Sequence, residues 1–273
     1  MKKLKTLFCA GIAALASLSL FACGGDPLPE PDPGVEQVEI THHDRTVSAE
    51  VFRPDASKFP VVVFSHGYNG YKDDFKTTAN YLMENGIGAI TFTFCGSGAR
   101  DTSGFATTDM TLFTEKEDLL AVMDYAKKLK WFDGNLFLLG GSQGGMVSAM
   151  AAEDRANDIK GMVLLYAGFS IPDDWNQRYP NDAAVPEVIP WWNVNLGRNF
   201  VLTLRDFDIY QNMASFTKPV FLMHAADDDI VPVSYSERAA QTYPNARFKK
   251  RNTGGHGFLP ANDELLEFIE ENL

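Results

Sequence analysis

The chain has 273 residues, 45% hydrophobic and 22% charged, enough apolar material for one sizeable globular domain and without the bias of a disordered chain or a repeat array. Thirty-six acidic residues face 24 basic ones, for a formal net charge of −12. That balance argues against nucleic acid as a partner and against polyanionic substrates.

The N-terminus stands apart. Lys2, Lys3 and Lys5 precede an apolar stretch from Leu7 to Ala22 that is short for a membrane span, the pattern of a secretory signal over residues 1–22. Its end, Leu20-Phe21-Ala22-Cys23-Gly24, resembles the lipobox of bacterial lipoproteins. The resemblance implies that Cys23 carries the lipid anchor and that the protein is exported and held on a membrane of the cell envelope; without lipidation the same signal predicts secretion. Residues 23–34, Pro-rich and acidic, have no apolar face to bury and read as a tether. With Cys9 in the signal and Cys23 at the anchor, Cys95 is alone in the domain. No internal disulfide is then expected, and Cys95 is read as a packing residue because no basic partner adjoins it.

The folded domain is expected over residues 35–273. Val35–Ile40 and Thr46–Phe52 alternate as an antiparallel strand pair, and Pro60–Ser65 is a continuous β-branched run, the mark of a buried central strand. Asp73-Asp74 is expected to cap a helix running to Glu84, with Phe75, Ala79 and Leu82 on one face and Gly86 as its stop. Ile87–Phe94 reads as the next strand and Glu115–Leu129 as an amphipathic helix, with Leu119, Val122, Met123 and Ala126 at helical spacing. A strand over 135–140, a helix from Ser142 and a strand over Gly161–Ala167 follow. Pro219–His224 and Ala246–Arg251 close the strand set, and Ser234–Thr242 and Ala261–Asn272 the helices. Strands alternating with helices predict an α/β fold with a mostly parallel, doubly wound sheet covered on both faces. Its ligand is expected at the carboxyl ends of the strands.

One segment breaks the alternation. From about residue 170 to 216 the chain carries Trp175, Tyr179, Trp191, Trp192, Phe200, Phe207 and Tyr210 among four prolines. It is too long for a connection and too aromatic for disorder, so it reads as an inserted cap whose aromatics form mostly its own core. A cap over the strand ends would wall a substrate pocket, with Trp191 and Trp192 as candidate substrate contacts.

Gly140-Gly141-Ser142-Gln143-Gly144-Gly145 lies between the strand at 135–140 and the helix that follows. A G-x-S-x-G in that context is a nucleophile elbow, presenting Ser142 at a helix N-terminus where free N–H groups favour negative charge. The Gln143 N–H, next to the nucleophile, is one candidate oxyanion donor. A serine needs a base and the base an orienting acid. His42 and His43 lie on a peripheral hairpin, His66 and His224 at the ends of central strands, and His256 in a glycine-rich loop before the last helix. Asp227, Asp228 and Asp229 follow the strand at 219–224 and supply three candidate acids.

In this order the chain resembles the α/β-hydrolases from about residue 36 onward. The resemblance implies His256 as base in the last loop. It also implies Asp228 as acid, in register with a D-x-x-V-P signature, and a second oxyanion donor from the Tyr68 N–H in an H-G-x loop, with His66 bracing that loop. More narrowly, the chain is similar to bacterial cinnamoyl and feruloyl esterases. The matching pieces are His66-Gly67-Tyr68-Asn69-Gly70, Ser142-Gln143-Gly144-Gly145, Phe216-Thr217-Lys218-Pro219-Val220 and a cap of similar length in the same place. Those esterases usually carry histidine where this chain has Gly141, and aspartate where it has Thr93. The resemblance implies a serine hydrolase of carboxylic esters, its substrate a small-molecule or glycan-linked ester, such as a hydroxycinnamate of plant polysaccharide. The other expectations are an acetyl or short-chain esterase, a prolyl-oligopeptidase-like peptidase, and a non-catalytic lipoprotein binding a ligand through the cap. No cofactor or metal is expected, since the histidines lack metal-ligand spacing.

Overall fold

The computed structural model describes residues 33–273; the predicted signal, Cys23 and the tether up to residue 32 lie outside the described residues. In chain order the elements are β1 (Gly34–His42), β2 (Arg45–Arg53), β3 (Phe59–Ser65), α1 (Lys76–Glu84), β4 (Gly88–Phe92), α2 (Leu112–Lys128) and β5 (Phe132–Gly141). Then come α3 (Gln143–Arg155), β6 (Gly161–Leu165), α4 (Ile171–Arg178), β7 (Val188–Trp191), β8 (Val194–Gly197), α5 (Arg198–Leu202), β9 (Val220–Ala225), α6 (Val233–Thr242), β10 (Ala246–Arg251) and α7 (Asn262–Glu270).

Eight strands form one sheet in the order β1-β2-β4-β3-β5-β6-β9-β10. β2 runs antiparallel to both neighbours, and every other pairing is parallel. The β-branched runs are central because both faces are covered. Val61, Val63, Leu136 and Leu138 pack with α2, α3 and α6 residues on one side. Val62, Phe64, Phe137 and Leu139 pack with residues of α1 and α7 on the other. This is the doubly wound α/β arrangement expected from the alternation of elements.

β5 starts three residues earlier than the sequence reading and β6 ends two earlier, and three further boundaries differ for a visible local reason. Asp73 and Asp74 do not cap α1: they sit inside a 3-10 turn, Lys72–Phe75, where the Asp74 carboxylate accepts the Tyr71 N–H. β4 ends where its backbone turns away from the sheet: the Thr93 N–H still reaches Ser48 O on β2, but the Phe94 N–H goes to the His66 ring at Nε2. α2 starts earlier, since Thr111 and Thr114 form a reciprocal capping pair of hydroxyl and backbone N–H.

The sheet winds outward in both directions from β3. The chain goes from β3 to β4 on one side, then crosses through α2 to β5 on the other. A crevice opens where such connections part, at the carboxyl ends of the two strands. The loop after β3 carries Tyr68 and the turn after β5 carries Ser142, so the topology itself brings them together.

The segment between β6 and β9 forms the predicted insertion. It contains α4, the β7–β8 hairpin, α5 and two 3-10 turns. Trp175 packs edge-on against Trp191 and Phe200 and lies parallel to Tyr179, so most of its aromatics do form a local core. Among the described residues no helix is long and apolar enough to cross a membrane.

Candidate active site

Ser142 is the hinge between β5 and α3, with φ 51° and ψ −124°. That backbone costs roughly 1–3 kcal/mol for a residue with a side chain and persists only where the surroundings enforce it. Here they do. The Ser142 N–H donates to Leu165 O (2.9 Å), and its carbonyl accepts from Gly145 (3.0 Å) and Gly168 (2.7 Å). The flanking glycines follow from close approach: a Cβ on Gly144 would strike the backbone oxygens of Ser65 and His66, and one on Gly145 would come 2.8 Å from Ala167 Cβ.

Ser142, His256 and Asp228 lie in one hydrogen-bonded line. Ser142 Oγ donates to His256 Nε2 (2.9 Å), and His256 Nδ1 donates to Asp228 Oδ2 (2.8 Å). The three adjacent aspartates have different tasks. Asp227 accepts the Gly255 N–H (2.8 Å) and so ties down the His256 loop, while Asp229 lines the cavity described below. None of them caps α6, whose N-cap is Pro232. Burial pushes the Asp228 carboxyl upward, but the N–H groups of Val231, His256 and Ile230 outweigh it and hold the group below its ordinary value.

Sequence reading missed the fourth member of this chain. His224, fully buried on β9, places Nε2 2.9 Å from Asp228 Oδ2 and 2.9 Å from Val231 O, with Nδ1 2.7 Å from Ser236 Oγ. Burial lowers its pKa. A neutral ring facing two acceptors at Nε2 must carry its proton there, so Ser236 donates to Nδ1. The only sequence signal was a histidine four residues before Asp228.

The two backbone N–H groups singled out for an oxyanion sit beside the serine. Among the described residues neither the Tyr68 nor the Gln143 N–H has a hydrogen-bond partner. The Tyr68 loop lies directly on Ser142, since a Cβ on Gly67 would be 3.2 Å from Ser142 Cβ. His66 braces this loop. It accepts the Phe94 N–H at Nε2 (3.0 Å), which leaves Nδ1 to donate to Gly67 O (2.7 Å). Burial, the largest influence, lowers its pKa to about 4 and keeps it neutral. The Gln143 side chain is anchored as well: its Nε2 donates to both oxygens of Glu115, at 2.9 and 2.8 Å. Glu115 is buried on α2, and burial first, then nearby Asp118, raises its pKa to about 8 against the opposing pull of Gln143. The helical spacing of α2 marked its apolar face but not this carboxyl.

Two clefts flank Ser142. A cavity of about 590 Å³ lies under the insertion, lined by Tyr68, Gln143, Trp175, Trp191, Trp192 and Phe200, with polar groups from Asp174, Gln177, Arg178 and Asp229. A smaller one, about 380 Å³, is lined by Ser142, His256, Tyr166, Asp74, Leu259 and Trp192. The hairpin carrying the tryptophans is tied to the Tyr68 loop by a bond from Tyr68 Oη to Trp191 O (3.0 Å). Trp191 is sandwiched between the Arg178 guanidinium (4.4 Å from its centroid) and Trp192 (5.5 Å, 14°). Trp192 is 52% exposed and sits at the hairpin tip with φ 42°. Cys95 is buried away from any such role, its thiol pushed up by burial and by Asp118.

This geometry agrees with what the chain is similar to. Residues 56–209 match the model of the Hydrolase_4 family, described as serine aminopeptidase, S33. Over 112 residues the chain is 34% identical to RutD of Caulobacter vibrioides, named as a carbamate hydrolase; the match spans 37% of this chain and 41% of that protein. Est1E from Butyrivibrio proteoclasticus, in a structure with ferulic acid bound, superposes with a TM-score of 0.77 at 24% identity, covering 85% of this chain and 96% of the other. Mouse alpha/beta hydrolase domain-containing protein 10 superposes with a TM-score of 0.70 at 18% identity, covering 86% and 97%. The shared architecture is the α/β-hydrolase fold.

Proposed function

Because the chain belongs to the Hydrolase_4 (serine aminopeptidase, S33) family, we propose that it is a serine hydrolase cutting carboxylic esters through an acyl-enzyme. The observation that carries this reading is the unbroken line from strained Ser142 through His256 to Asp228, beside two unpaired backbone N–H groups. Ser142 Oγ attacks the ester carbonyl while His256 takes its proton; Asp228 holds the ring and stabilises its cation. The oxyanion develops against the Tyr68 and Gln143 N–H groups. His256 then protonates the leaving alcohol and later activates the water that frees the acid.

The proposed acyl group is a planar aromatic acid of the hydroxycinnamate kind. The cavity under the cap is walled by Trp175, Trp191, Trp192 and Phe200, with Asp174, Gln177 and Arg178 available to hydroxyl substituents. The likeness to Est1E, whose structure holds ferulic acid, supports the same choice. A glycan-linked ester fits the N-terminal lipobox-like segment, which we read as carrying the enzyme to the cell envelope on Cys23. The test is hydrolysis of methyl ferulate and of 4-nitrophenyl acetate by wild type and Ser142→Ala. Loss of both activities in the variant is expected. Turnover of the acetate alone would replace the hydroxycinnamate by a short acyl chain, and equal inertness of both proteins on a broad ester panel would refute the hydrolase.

A further inference from the structure

Tyr166 is the first residue after β6, and it is strained. It holds φ 38°, a left-handed conformation rare for a bulky aromatic, with its N–H fixed to Met223 O at 2.7 Å. Its ring is buried and meets His256 edge to face, centroids 4.9 Å apart at 66°. Its hydroxyl stands beside the residue that precedes Ser142: a Cβ on Gly141 would come 2.9 Å from Tyr166 Oη. Gly141 is bare because the phenol stands where its side chain would be. Among the described residues that hydroxyl has no hydrogen-bond partner, though Tyr166 shares the smaller cleft with Ser142, His256 and Asp74.

The two clefts take opposite halves of an ester. His256 lines the smaller cleft and not the cavity under the cap. Since the departing oxygen must collect its proton from His256 Nε2, the alcohol half lies in the smaller cleft and the acyl half under the cap. On the serine-esterase reading, we infer that Tyr166 is a further catalytic residue, donating a hydrogen bond to the leaving oxygen as the ester C–O bond breaks. In that step Ser142 Oγ has bonded to the carbonyl carbon and passed its proton to His256. The C–O bond then breaks, its electron pair stays on the leaving oxygen, and the proton from His256 joins it to give the alcohol. Tyr166 keeps its own proton throughout and disperses charge on that oxygen before the transfer is complete. Burial, aided by Asp74 and Asp228, raises the phenol pKa to about 12, so the group remains a donor across the working range.

Such a donor matters most for a poor leaving group. The experiment compares kcat/KM of wild type and Tyr166→Phe on an alkyl ester and a 4-nitrophenyl ester of one acid, per site titrated with a fluorophosphonate. The alkyl ester is expected to lose about tenfold or more relative to the nitrophenyl ester, the scale of a lost transition-state hydrogen bond. A ring that only packs against His256 would change both alike, so a ratio within about twofold of wild type overturns the inference. If Tyr166→Phe yields no titratable sites, 3-fluorotyrosine at position 166 keeps the shape and strengthens the donor. The alkyl-to-aryl ratio should then rise, and an unchanged ratio overturns the inference equally. Activity surviving in Ser142→Ala would instead sink the serine-esterase reading itself.

Discussion

His224 and His256 hydrogen-bond to the same oxygen of Asp228, at 2.9 and 2.8 Å, while the other oxygen accepts from the N–H groups of Ile230 and Val231. The carboxylate is held from four sides. It can turn neither away from His256 nor toward it, and a displaced base is a costly error in acyl transfer.

Replacing His224 by leucine removes one of those four donors and strands the Ser236 hydroxyl in a buried site. A fall of about tenfold in kcat at little-changed KM is expected, with a loss of roughly 1–3 kcal/mol in unfolding free energy. Steady-state kinetics and urea melts measure the two. Unchanged kcat in a stably folded variant would show that the other three donors suffice.

Stability should fall with rising pH above neutrality, and Glu115 should be the reason. Its folded pKa of about 8 lies above the ordinary carboxyl value, so through that window the fold holds a proton that the unfolded chain has released. Stability is thus lost as pH rises toward 8. His66, lowered to about 4, acts in the opposite sense, because the unfolded chain binds a proton that the fold excludes between about 4 and its ordinary 6.5. Its contribution is complete above 6.5 and lost below. Urea melts of wild type should decline from pH 6.5 to 8.5, and those of Glu115→Gln should be flatter there. Equal slopes would assign the decline elsewhere.

Trp192 and Asn193 form the two-residue turn of the β7–β8 hairpin with both φ values positive, 42° and 64°. Asparagine suits that conformation and tryptophan does not. Trp192→Asn is therefore expected to leave Tm unchanged or raised while KM for an aromatic ester rises several-fold. Loss of stability together with binding would make the indole a packing element.

Gly141→His introduces the residue of the esterase pattern that the sequence resembles, and here it should fail. Its Cβ would lie 2.9 Å from Tyr166 Oη and 3.2 Å from Phe75 Cζ, both on buried rings. Overpacking of this kind costs about 1–3 kcal/mol, and displacement of Tyr166 should lower activity as well. Thermal melts and ester hydrolysis at matched concentration test both effects.

The fold was legible because its signals are local. β-branched runs, glycine stops and helical spacing each sit within a few residues, and elbow and base both lie in glycine-punctuated loops at strand ends. Within Asp227–Asp229, composition could not choose and only the D-x-x-V-P register pointed to Asp228; the fold shows what each does, one facing His256, one holding Gly255 and one lining the cavity. Tyr166 and His224 were hidden for a related reason. Each extends or ends a buried strand, where periodicity reports burial but not the partner across the crevice. Glu115 occupies a helix position that spacing assigns to the core, and its partner Gln143 is 28 residues away. Thr93 departs from the esterase pattern with a visible local use, its hydroxyl accepting the Lys72 N–H.

The backbone groups holding Ser142 come from the sheet and the helix that follows it: Leu165 on β6, Gly145 and Met146 on α3, and Gly168 just past β6. His256 and Asp228 follow β10 and β9, so residues 170–216 contribute nothing to the reacting line. Apart from the bond from Tyr68 Oη to Trp191 O, the molecule therefore keeps the Ser142–His256–Asp228 line and the cap in separate parts. A foreign cap spliced between Phe169 and Thr217 should inherit a working nucleophile and impose its own choice of acid, making this scaffold a natural chassis for swapping substrate taste without rebuilding the chemistry.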